Sequence, residues 1–252
     1  MTGDSKIVIE TKQLKKVYPG TKEEALKGIN LSVFEGEFFG LLGPNSAGKT
    51  TLISIFCGLL KISHGEVFVN NINVNRHPGK IKKLIGLIPQ EIALYPSLTI
   101  KENLRYFGQL HGIYGKELNN RIDESLSIVR LTGHSDKLVS KCSNGIKRRA
   151  NLIAGLIHKP AIVFLDEPTL GVDAQSRNLI FEYLKQLNNT KTTIIYTTHY
   201  MEEVENLCSR IVIIDNGKII EHGRPDELIR KHNDCINFGQ VFLKLTGKEL
   251  RD

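Results

Sequence analysis

Apolar and polar residues alternate in the first part of the chain. Ile7 and Ile9 lie two residues apart between Lys6 and Glu10, and Ile29, Leu31 and Val33 alternate with the polar residues Asn30 and Ser32. A period of two is typical of strands that bury one face and expose the other. Residues 7–34 are therefore predicted to form an antiparallel sheet.

Short runs of consecutive apolar residues follow, separated by stretches with helical spacing. Such runs are typical of strands buried on both faces, as in a parallel sheet between helices. The predicted strands of this kind are 38–42, 84–88, 161–165 and 193–196. Hairpins are predicted at Asn70-Asn71 and at Asp215-Asn216-Gly217, because these residues tolerate the positive φ of tight turns. The order of the elements indicates the α/β class.

A helical block interrupts the alternation of strands and helices. Its first helix starts at a capping box, in which Thr99 and Glu102 each satisfy a free backbone N–H group. A second helix is predicted over residues 116–130. The block is interpreted as a helical subdomain inserted at about residues 95–158.

The domain as a whole is predicted to span residues 5–230, with the helical subdomain inside it. Residues 231–252 are interpreted as a polar C-terminal tail. One apolar patch lies in this tail, at residues 238–245, and no function is assigned to it.

The residues from 43 to 51 fit G-x-x-x-x-G-K-[ST], the phosphate-binding loop, between a buried strand and a helix. Glycines let backbone N–H groups turn toward anionic oxygens, and the helix N-terminus adds partial positive charge. Lys49 is predicted to reach the β- and γ-phosphates, and Thr50 to ligate Mg²⁺. The predicted ATP-binding residues of the loop are Gly43, Pro44, Asn45, Ser46, Ala47, Gly48, Lys49, Thr50 and Thr51.

Two carboxylates follow the apolar strand 161–165. Functional groups cluster at the carboxyl ends of parallel strands, so Asp166 and Glu167 are expected to face the phosphate loop. Asp166 would hold Mg²⁺ through water, and Glu167 would polarise the water that attacks the γ-phosphate. The alternative, that both acids cap a helix, loses its weight beside a phosphate loop.

Three further residues are weak candidates by themselves. Tyr18 lies in a turn and would ordinarily be a packing residue, whereas Gln90 and His199 follow predicted strands and would ordinarily be solvated. Beside a phosphate site, Tyr18 is predicted to stack on adenine. Gln90 would then bind Mg²⁺ or the attacking water.

Composition and charge exclude few functional classes of protein. The chain has 252 residues, of which 40% are hydrophobic and 24% charged, enough for one substantial core. A net charge of +7 is compatible with binding to nucleic acid, to an anionic membrane surface or to a nucleotide. It is equally compatible with a basic surface that only keeps the protein soluble. The four cysteines form no C-x-x-C pair, which indicates reduced thiols in a cytosolic compartment.

Membrane segments are not predicted. No apolar run approaches the roughly 18 residues that span a bilayer. The first six residues are polar, unlike a signal peptide. Any membrane role is therefore expected to come through a partner.

Together these segments resemble the ATP-binding-cassette (ABC) ATPases, specifically the nucleotide-binding subunits of ABC transporters. The resemblance covers about residues 5–230 and keeps the family order of motifs. Beyond the phosphate loop, Asp166 and Glu167 resemble the Walker B acid and the catalytic glutamate, and Gln90 resembles the loop glutamine that contacts Mg²⁺ and faces the transmembrane partner.

The remaining matches lie outside the phosphate-binding segments. Tyr18 resembles the adenine-stacking aromatic, and His199 the switch histidine. Ser143-Asn144-Gly145 stands in the place of the L-S-G-G-Q signature, and Asp173 resembles the aspartate of the loop between two subunits. The basic cluster Lys147-Arg148-Arg149 after the signature would ordinarily form a solvated helix face. Pro44-Asn45, this Lys-Arg-Arg cluster and the short helical subdomain look most like subunits that serve exporters.

The resemblance implies a P-loop NTPase fold and a head-to-tail dimer that sandwiches two ATP molecules with Mg²⁺. Lys49, Glu167 and His199 would be the catalytic residues, with Thr50, Gln90 and Asp166 at the metal. Each ATP would also touch the signature of the second ATP-binding subunit. A separate transmembrane permease would place the chain at the cytoplasmic face of the membrane, as a peripheral subunit.

Four residues depart from the family pattern. Ser46 stands where the family usually has glycine, and Cys142, Asn144 and Ile146 alter the signature. Asn144 is expected to keep a positive φ at the price of added bulk, since Asn is the non-glycine residue best suited to that conformation. Active but slow ATP hydrolysis is therefore expected.

Two alternatives stay open from the sequence. One is a soluble ABC ATPase acting on nucleic acid or ribosomes, which usually has two cassettes or a long coiled-coil insertion. Neither is present, so no nucleic-acid partner is expected. The other is a weakly active, regulatory ATP-binding subunit, which the altered signature would suit.

Overall fold

The computed structural model describes residues 6–247, so the predicted domain start at residue 5 and the segment 248–252 lie outside the described residues. The strands are β1 (Ile7–Val17), β2 (Glu24–Phe34), β3 (Phe38–Leu42), β4 (His64–Val69), β5 (Ile72–Asn73), β6 (Ile85–Ile88), β7 (Ile162–Asp166), β8 (Thr193–Thr197), β9 (Arg210–Asp215) and β10 (Lys218–Gly223). The helices are α1 (Lys49–Phe56), α2 (Pro78–Leu84), α3 (Ile100–Leu110), α4 (Gly115–Ile128), α5 (Asn144–Leu156), α6 (Ala174–Asn189), α7 (Met201–Leu207), α8 (Pro225–Lys231) and α9 (Phe238–Thr246). Within this range, every helix is too short or too polar to cross a bilayer.

The larger sheet has the strand order β10-β9-β3-β8-β7-β6. Its neighbouring strands are parallel, except that β10 pairs antiparallel with β9. Strands β3 and β7 both lie beside β8, so the phosphate loop after β3 and the carboxylates at the end of β7 meet at one edge of the sheet. The predicted α/β fold, with a mixed core sheet, is confirmed.

The smaller sheet has the order β2-β1-β4-β5 and is antiparallel throughout. Ile9 pairs with Val33 on one side and with Val69 on the other. The predicted turn between β4 and β5 is confirmed, because Asn70 and Asn71 have φ of 49° and 61°. This sheet is the N-terminal antiparallel unit that the alternating pattern predicts.

The apolar strand β3 shows why a parallel strand needs an unbroken hydrophobic run. Phe39 and Leu41 face a core shared with α1 and the smaller sheet. Phe38 and Leu42 face the opposite core, which is covered by α6, α7 and neighbouring helices. All four side chains are at most 3% exposed, so both faces of the strand are sealed.

Helices α3, α4 and α5 enclose a third apolar core. The predicted capping box is present, because Thr99 N–H donates to Glu102 Oε2 at 2.7 Å and Glu102 N–H donates to Thr99 Oγ1 at 3.2 Å. Buried Asn103 ties the helix to the preceding loop by donating to the carbonyls of Tyr95 and Thr99. The boundaries 95–158 of the helical subdomain stay a prediction.

The interpretation of residues 231–252 as a tail is corrected for the part that the structure describes. Phe238, Val241 and Phe242 on α9 are at most 2% exposed and belong to the core beneath α6 and α7. The Phe238 N–H donates to Glu205 Oε1 on α7 at 2.9 Å. Spacings of three and four residues make this patch one face of a helix, which the short apolar run concealed.

Candidate functional site

The loop between β3 and α1 turns through three residues with left-handed backbone. Gly43, Ser46 and Gly48 have φ of 156°, 64° and 110°. A Cβ on Gly43 would lie 2.1 Å from the Ile214 carbonyl oxygen, and a Cβ on Gly48 would lie 2.8 Å from Leu26 Cδ2. Only glycine fits at these two positions. Ser46 adopts the same region with a side chain, at a cost of about 1 kcal/mol.

Lys49 folds back over this loop. Its Nζ donates to the carbonyl of Gly43 at 2.7 Å and to that of Pro44 at 3.0 Å, and the residue is 8% exposed. Burial lowers the pKa of Lys49, while Glu167 and Asp166 nearby act in the opposite direction. The loop thus holds a buried ammonium group close to two carboxylates, where a polyanion would gain most from it.

Helix α1 begins at this loop without a side-chain cap. Its N-cap residue is Gly48, which has no side chain to accept a hydrogen bond, and its first turn contains no acidic residue. The first N–H groups of a helix need acceptors from outside the helix, and the helix dipole favours anions there. The start of α1 therefore fits the phosphate groups of a nucleotide.

A cleft of about 270 Å³ opens beside the loop. One wall comes from the loop and the start of α1, and the opposite wall from the ends of β6 and β7. Its lining residues are Tyr18, Ala25, Asn45, Ser46, Ala47, Gly48, Lys49, Thr50, Thr51, Gln90, Asp166 and Glu167. Most of the predicted ATP-binding residues thus share one cleft with Asp166 and Glu167.

Thr197 at the end of β8 holds the side chain of Asp166 and the backbone of Glu167. Its hydroxyl donates to Asp166 Oδ1 at 2.6 Å, and its Oγ1 accepts from the Glu167 N–H at 3.1 Å. Glu167 has φ of 50°, a left-handed conformation that is uncommon for a residue of this type. The chain therefore turns sharply after Asp166, and the turn aims the Glu167 side chain into the cleft.

Glu167 is 8% exposed and lies between two of the predicted site residues. Gln90 Nε2 donates to Glu167 Oε2 at 3.2 Å, and His199 Nε2 contacts Glu167 Oε1. The other ring nitrogen of His199, Nδ1, is buried and has no hydrogen-bond partner within residues 6–247. Two separate segments of the chain thus converge on the Glu167 carboxylate.

Arg148 belongs to this constellation, although the sequence pattern predicts a solvated basic face for Lys147-Arg148-Arg149. It is 9% exposed, and its Nη1 donates to the carbonyl of Gln90. Burial lowers the pKa of Arg148, and the charge of Glu167 opposes that shift. The prediction was wrong because a basic triplet does not indicate which member turns inward on a helix. Arg149 also turns in, donating to the Val129 carbonyl at 2.8 Å.

The signature segment lies at the start of α5. Ser143 is the N-cap residue and accepts from the Ile146 N–H. Asn144 is the first helical residue, so the expected positive φ at this position is wrong. Its side chain instead donates to the Gly171 carbonyl at 2.7 Å. Gly145 is buried, and a Cβ there would lie 2.7 Å from Asp173 Oδ2.

Tyr18 lies at the mouth of the cleft. Its hydroxyl is hydrogen-bonded to Thr51 Oγ1 at 2.9 Å, and the residue is 41% exposed. Lys16 Nζ lies 5.3 Å from the centre of its ring. The hydrogen bond fixes the position of the Tyr18 ring, and the ring is partly exposed. It is therefore a suitable surface for stacking.

The predicted site residues form two separate groups. Tyr18, residues 45–51 of the phosphate loop, Gln90, Asp166 and Glu167 line the cleft, and His199 joins them through Glu167. Among the described residues, the cleft walls do not include Ser143-Asn144-Gly145 or Asp173; Gly145 instead lies beside Asp173. Sequence reasoning missed Thr197 and Arg148. Their positions next to His199 and the signature are the only sequence signals.

The sequence is similar to characterised bacterial proteins over most of its length. The family model described as ABC transporter matches residues 26–170. The linearmycin resistance ATP-binding protein LnrL of Bacillus subtilis is 47% identical over 88% of this chain and 70% of its own length. The Nod factor export ATP-binding protein I of Ralstonia nicotianae is 36% identical over 90% of this chain and 70% of its own length.

Solved structures agree with this relationship. The dimeric ATP-binding cassette MJ0796, in a post-hydrolysis state with ADP and Pi, superposes with a TM-score of 0.78. It is 28% identical and covers 86% of this chain and 98% of its own. The chain belongs to the ABC transporter family, in which it is an ATP-binding and ATP-hydrolysing subunit.

Proposed function

We propose that this subunit powers export through a separate transmembrane permease and lies at the cytoplasmic face of the membrane. The similarity to an antibiotic resistance protein and to a Nod factor export protein supports export. The observation that carries hydrolysis is the convergence of Gln90 and His199 on Glu167 at the cleft wall. A subunit that only bound ATP would have no need of this arrangement.

The phosphate loop and Lys49 would hold the triphosphate. The uncapped start of α1 supplies N–H donors, and Lys49 would exchange its two carbonyl contacts for the β- and γ-phosphate oxygens. Tyr18 would stack on the adenine ring. The remaining predicted contacts come from the backbone and side chains of residues 43–51.

Mg²⁺ fits the polar groups beside this loop. Thr50, Gln90 and Asp166 offer hydroxyl, amide and carboxylate oxygens, the ligand types that Mg²⁺ prefers. Asp166 already accepts a hydrogen bond from Thr197, which would leave its second oxygen for the metal or for a metal-bound water. When bound, the ion would neutralise charge on the β- and γ-phosphates.

Glu167 would act on the attacking water. Its buried carboxylate can accept a proton from that water at Oε1 or Oε2 as the water attacks the γ-phosphorus, while the bond from the γ-phosphorus to the bridging β-phosphate oxygen breaks and ADP leaves. His199 contacts Oε1 and Gln90 contacts Oε2, so both oxygens have a fixed direction. The turn at Glu167 holds the group close to Lys49, so that carboxylate and ammonium flank the reacting phosphate.

A second ATP-binding subunit would complete each site. Ser143 and Gly145 lie at the N-terminus of α5, whose N–H groups would meet the γ-phosphate bound by the other subunit. Asp173 caps α6 by accepting from the Ser176 N–H at 2.8 Å, and would lie at the subunit interface. The dimeric state of MJ0796 supports this assembly.

The permease would contact the groove next to Gln90. This cavity of about 230 Å³ lies between the core and the helical subdomain, and its lining includes Leu59, Pro89, Phe107 and His111. Arg148 joins α5 to the Gln90 backbone. Movement of the helical subdomain on ATP binding would therefore reach the permease through the same segment that contacts Glu167.

Substitution of the central carboxylate tests the proposal. Glu167→Gln is expected to lower ATP turnover by about 10²- to 10³-fold, because general-base assistance is lost. It should also retain ATP in a closed dimer, measured by gel filtration with radiolabelled ATP and Mg²⁺. Glu182→Gln, an exposed change of the same type on α6, is the matched control.

Two outcomes would contradict the proposal. Unchanged turnover and ATP retention in Glu167→Gln would favour a regulatory ATP-binding subunit. Purification from detergent-solubilised membranes is expected to recover a polytopic membrane protein with the wild-type chain. Recovery of ribosomal RNA or DNA instead would favour a soluble ABC ATPase acting on nucleic acid.

A further inference from the structure

A second buried carboxylate lies behind the catalytic one. Glu203 on α7 is 3% exposed and accepts hydrogen bonds from three hydroxyl groups. Thr169 Oγ1 donates at 2.9 Å, Tyr196 Oη at 2.8 Å and Thr198 Oγ1 at 2.5 Å. The three donors come from the loop after Glu167, from β8, and from the residue before His199. Burial of a carboxylate costs much free energy unless the group is hydrogen-bonded. The three hydrogen bonds therefore indicate that Glu203 and its hydroxyl partners have a fixed geometry.

The contact with Thr198 fixes the backbone around His199. A threonine hydroxyl has one proton to donate, and here Glu203 accepts it. The oxygen lone pairs then face the Tyr200 N–H, which donates to Thr198 Oγ1 at 3.0 Å. The turn from Thr198 to Tyr200 is closed on both sides of His199. Without Glu203, the hydroxyl would be free to rotate and the turn would lose one of its two anchors.

The contact of Glu203 with Thr169 fixes the loop that follows Glu167. Thr169 follows Glu167 by two residues and is 2% exposed. Its hydroxyl reaches both carboxylate oxygens of Glu203, at 2.9 and 3.2 Å. The same carboxylate therefore anchors the loop that carries Glu167 and the turn that carries His199. These segments lie far apart in the sequence, but one group sets their separation.

We infer that Glu203 is a positioning residue that holds His199 in register with Glu167. The inference rests on the proposed roles of these two residues in hydrolysis. Glu203 contacts neither the cleft nor, by its location, any bound nucleotide. Its effect on the reaction passes through Thr198 and Thr169, and small errors in the placement of reacting groups are costly in rate.

Three substitutions test the inference: Glu203→Gln, Thr198→Val and Thr169→Val. Each is expected to lower kcat for ATP by about tenfold or more, and to leave KM for ATP within about twofold, since the phosphate loop is untouched. Thr11→Val is the matched control. Thr11 is buried on β1 and donates to the Ile29 carbonyl at 2.9 Å, so its loss perturbs stability but not the site.

A spectroscopic readout separates positioning from general destabilisation. In protein labelled with ¹³C-histidine, the ring signal of His199 is assigned by its loss in His199→Ala, and exposed His64 serves as an internal reference. The His199 signal is expected to shift in Glu203→Gln and in Thr198→Val, but not in Thr11→Val. If Glu203→Gln fails to fold, Thr198→Val decides by the same measurements.

The inference is overturned if the His199 signal stays in place in these variants, or if their kcat matches that of Thr11→Val. Failure of the proposed function gives a different result. If Glu167→Gln and His199→Ala keep wild-type turnover, the catalytic roles are wrong. The His199 signal in Glu203→Gln still reports whether Glu203 positions the histidine.

Discussion

The phosphate cleft and the signature segment differ in how far this chain completes them. In the cleft, the loop, Gln90, Glu167 and His199 are held by contacts within the chain. In the signature segment, Ser143 and Asn144 are exposed at the start of α5. In the proposed head-to-tail dimer, the half of the ATP site in the cleft is held by contacts within one chain, whereas the half at the signature is presented at the surface.

This difference indicates a division of tasks between the two regions. Burial and paired polar groups fix the chemistry-bearing side chains, because a misplaced carboxylate would be costly in rate. An exposed helix N-terminus can meet its ligand only when a second subunit brings the ligand to it. Under the proposed assembly, association of two subunits would control the reaction, and the contacts within each chain would determine its rate once the subunits have closed.

Mixing two inactive variants gives the largest expected effect. Lys49→Ala removes the phosphate-binding ammonium group, and Ser143→Arg blocks the signature, so each should lower turnover at least about a hundredfold by itself. In a head-to-tail dimer of one variant with the other, one of the two sites keeps both native residues. An equimolar mixture should therefore regain a substantial fraction of wild-type turnover, measured by phosphate release.

The control for this mixture is Lys49→Ala combined with Lys49→Ala,Ser143→Arg, in which no site is intact. It should remain inactive at the same total concentration. If the mixture of the single variants stays equally inactive, the proposed difference between the two regions is wrong. The signature would then act within its own chain or not at all.

Asn144→Gly sharpens the comparison on the signature side. The Asn144 side chain donates to the Gly171 carbonyl at 2.7 Å and adds bulk at the surface that would meet ATP. Its removal is expected to raise turnover by about twofold to fivefold, which is about 0.4–1 kcal/mol of barrier. Asn119→Gly, an exposed change of the same type on α4, should leave turnover unchanged. Turnover of Asn144→Gly no faster than that of wild type would show that the signature does not limit the rate.

Ser46→Gly gives the smallest expected effect, on the side of the cleft. Ser46 has φ of 64°, and glycine removes the steric cost while increasing the entropy of the unfolded chain. The net gain in unfolding free energy is expected to be about 0.5 kcal/mol, measured by urea denaturation. Ser127→Gly, in the exposed part of α4, should have the opposite sign. A loss of stability in Ser46→Gly would mean that the serine side chain makes a compensating contact.

The sequence predicts best where function depends on neighbours in the chain. The phosphate loop, the strand before it and the helix after it form one continuous segment, so its conformation follows from local rules. Asp166 and Glu167 follow a buried strand, and the parallel arrangement brings them to the loop. The conformation of the loop and the position of the two acids could therefore both be predicted from the order of residues along the chain.

Contacts between distant segments could not be predicted in the same way. Arg148 reaches the Gln90 carbonyl across the boundary of the helical subdomain, and Asn144 reaches Gly171. Each depends on the rotation of α5, which a pattern of charges does not define. Glu203 looked like one of several acids on a short helix, because the three hydroxyls that pair with it become neighbours only after folding.

Helix α9 has a practical consequence at the opposite end of the chain. It rests on α7 through the bond from Phe238 to Glu205, two residues beyond Glu203. Truncating the protein at residue 230, the predicted end of the domain, would remove α9 and its apolar contacts from the core that includes α7. Helix α7 carries Glu203, the residue inferred to position His199. Affinity tags and fusion partners are therefore better joined at the N-terminus, ahead of β1 in the smaller sheet.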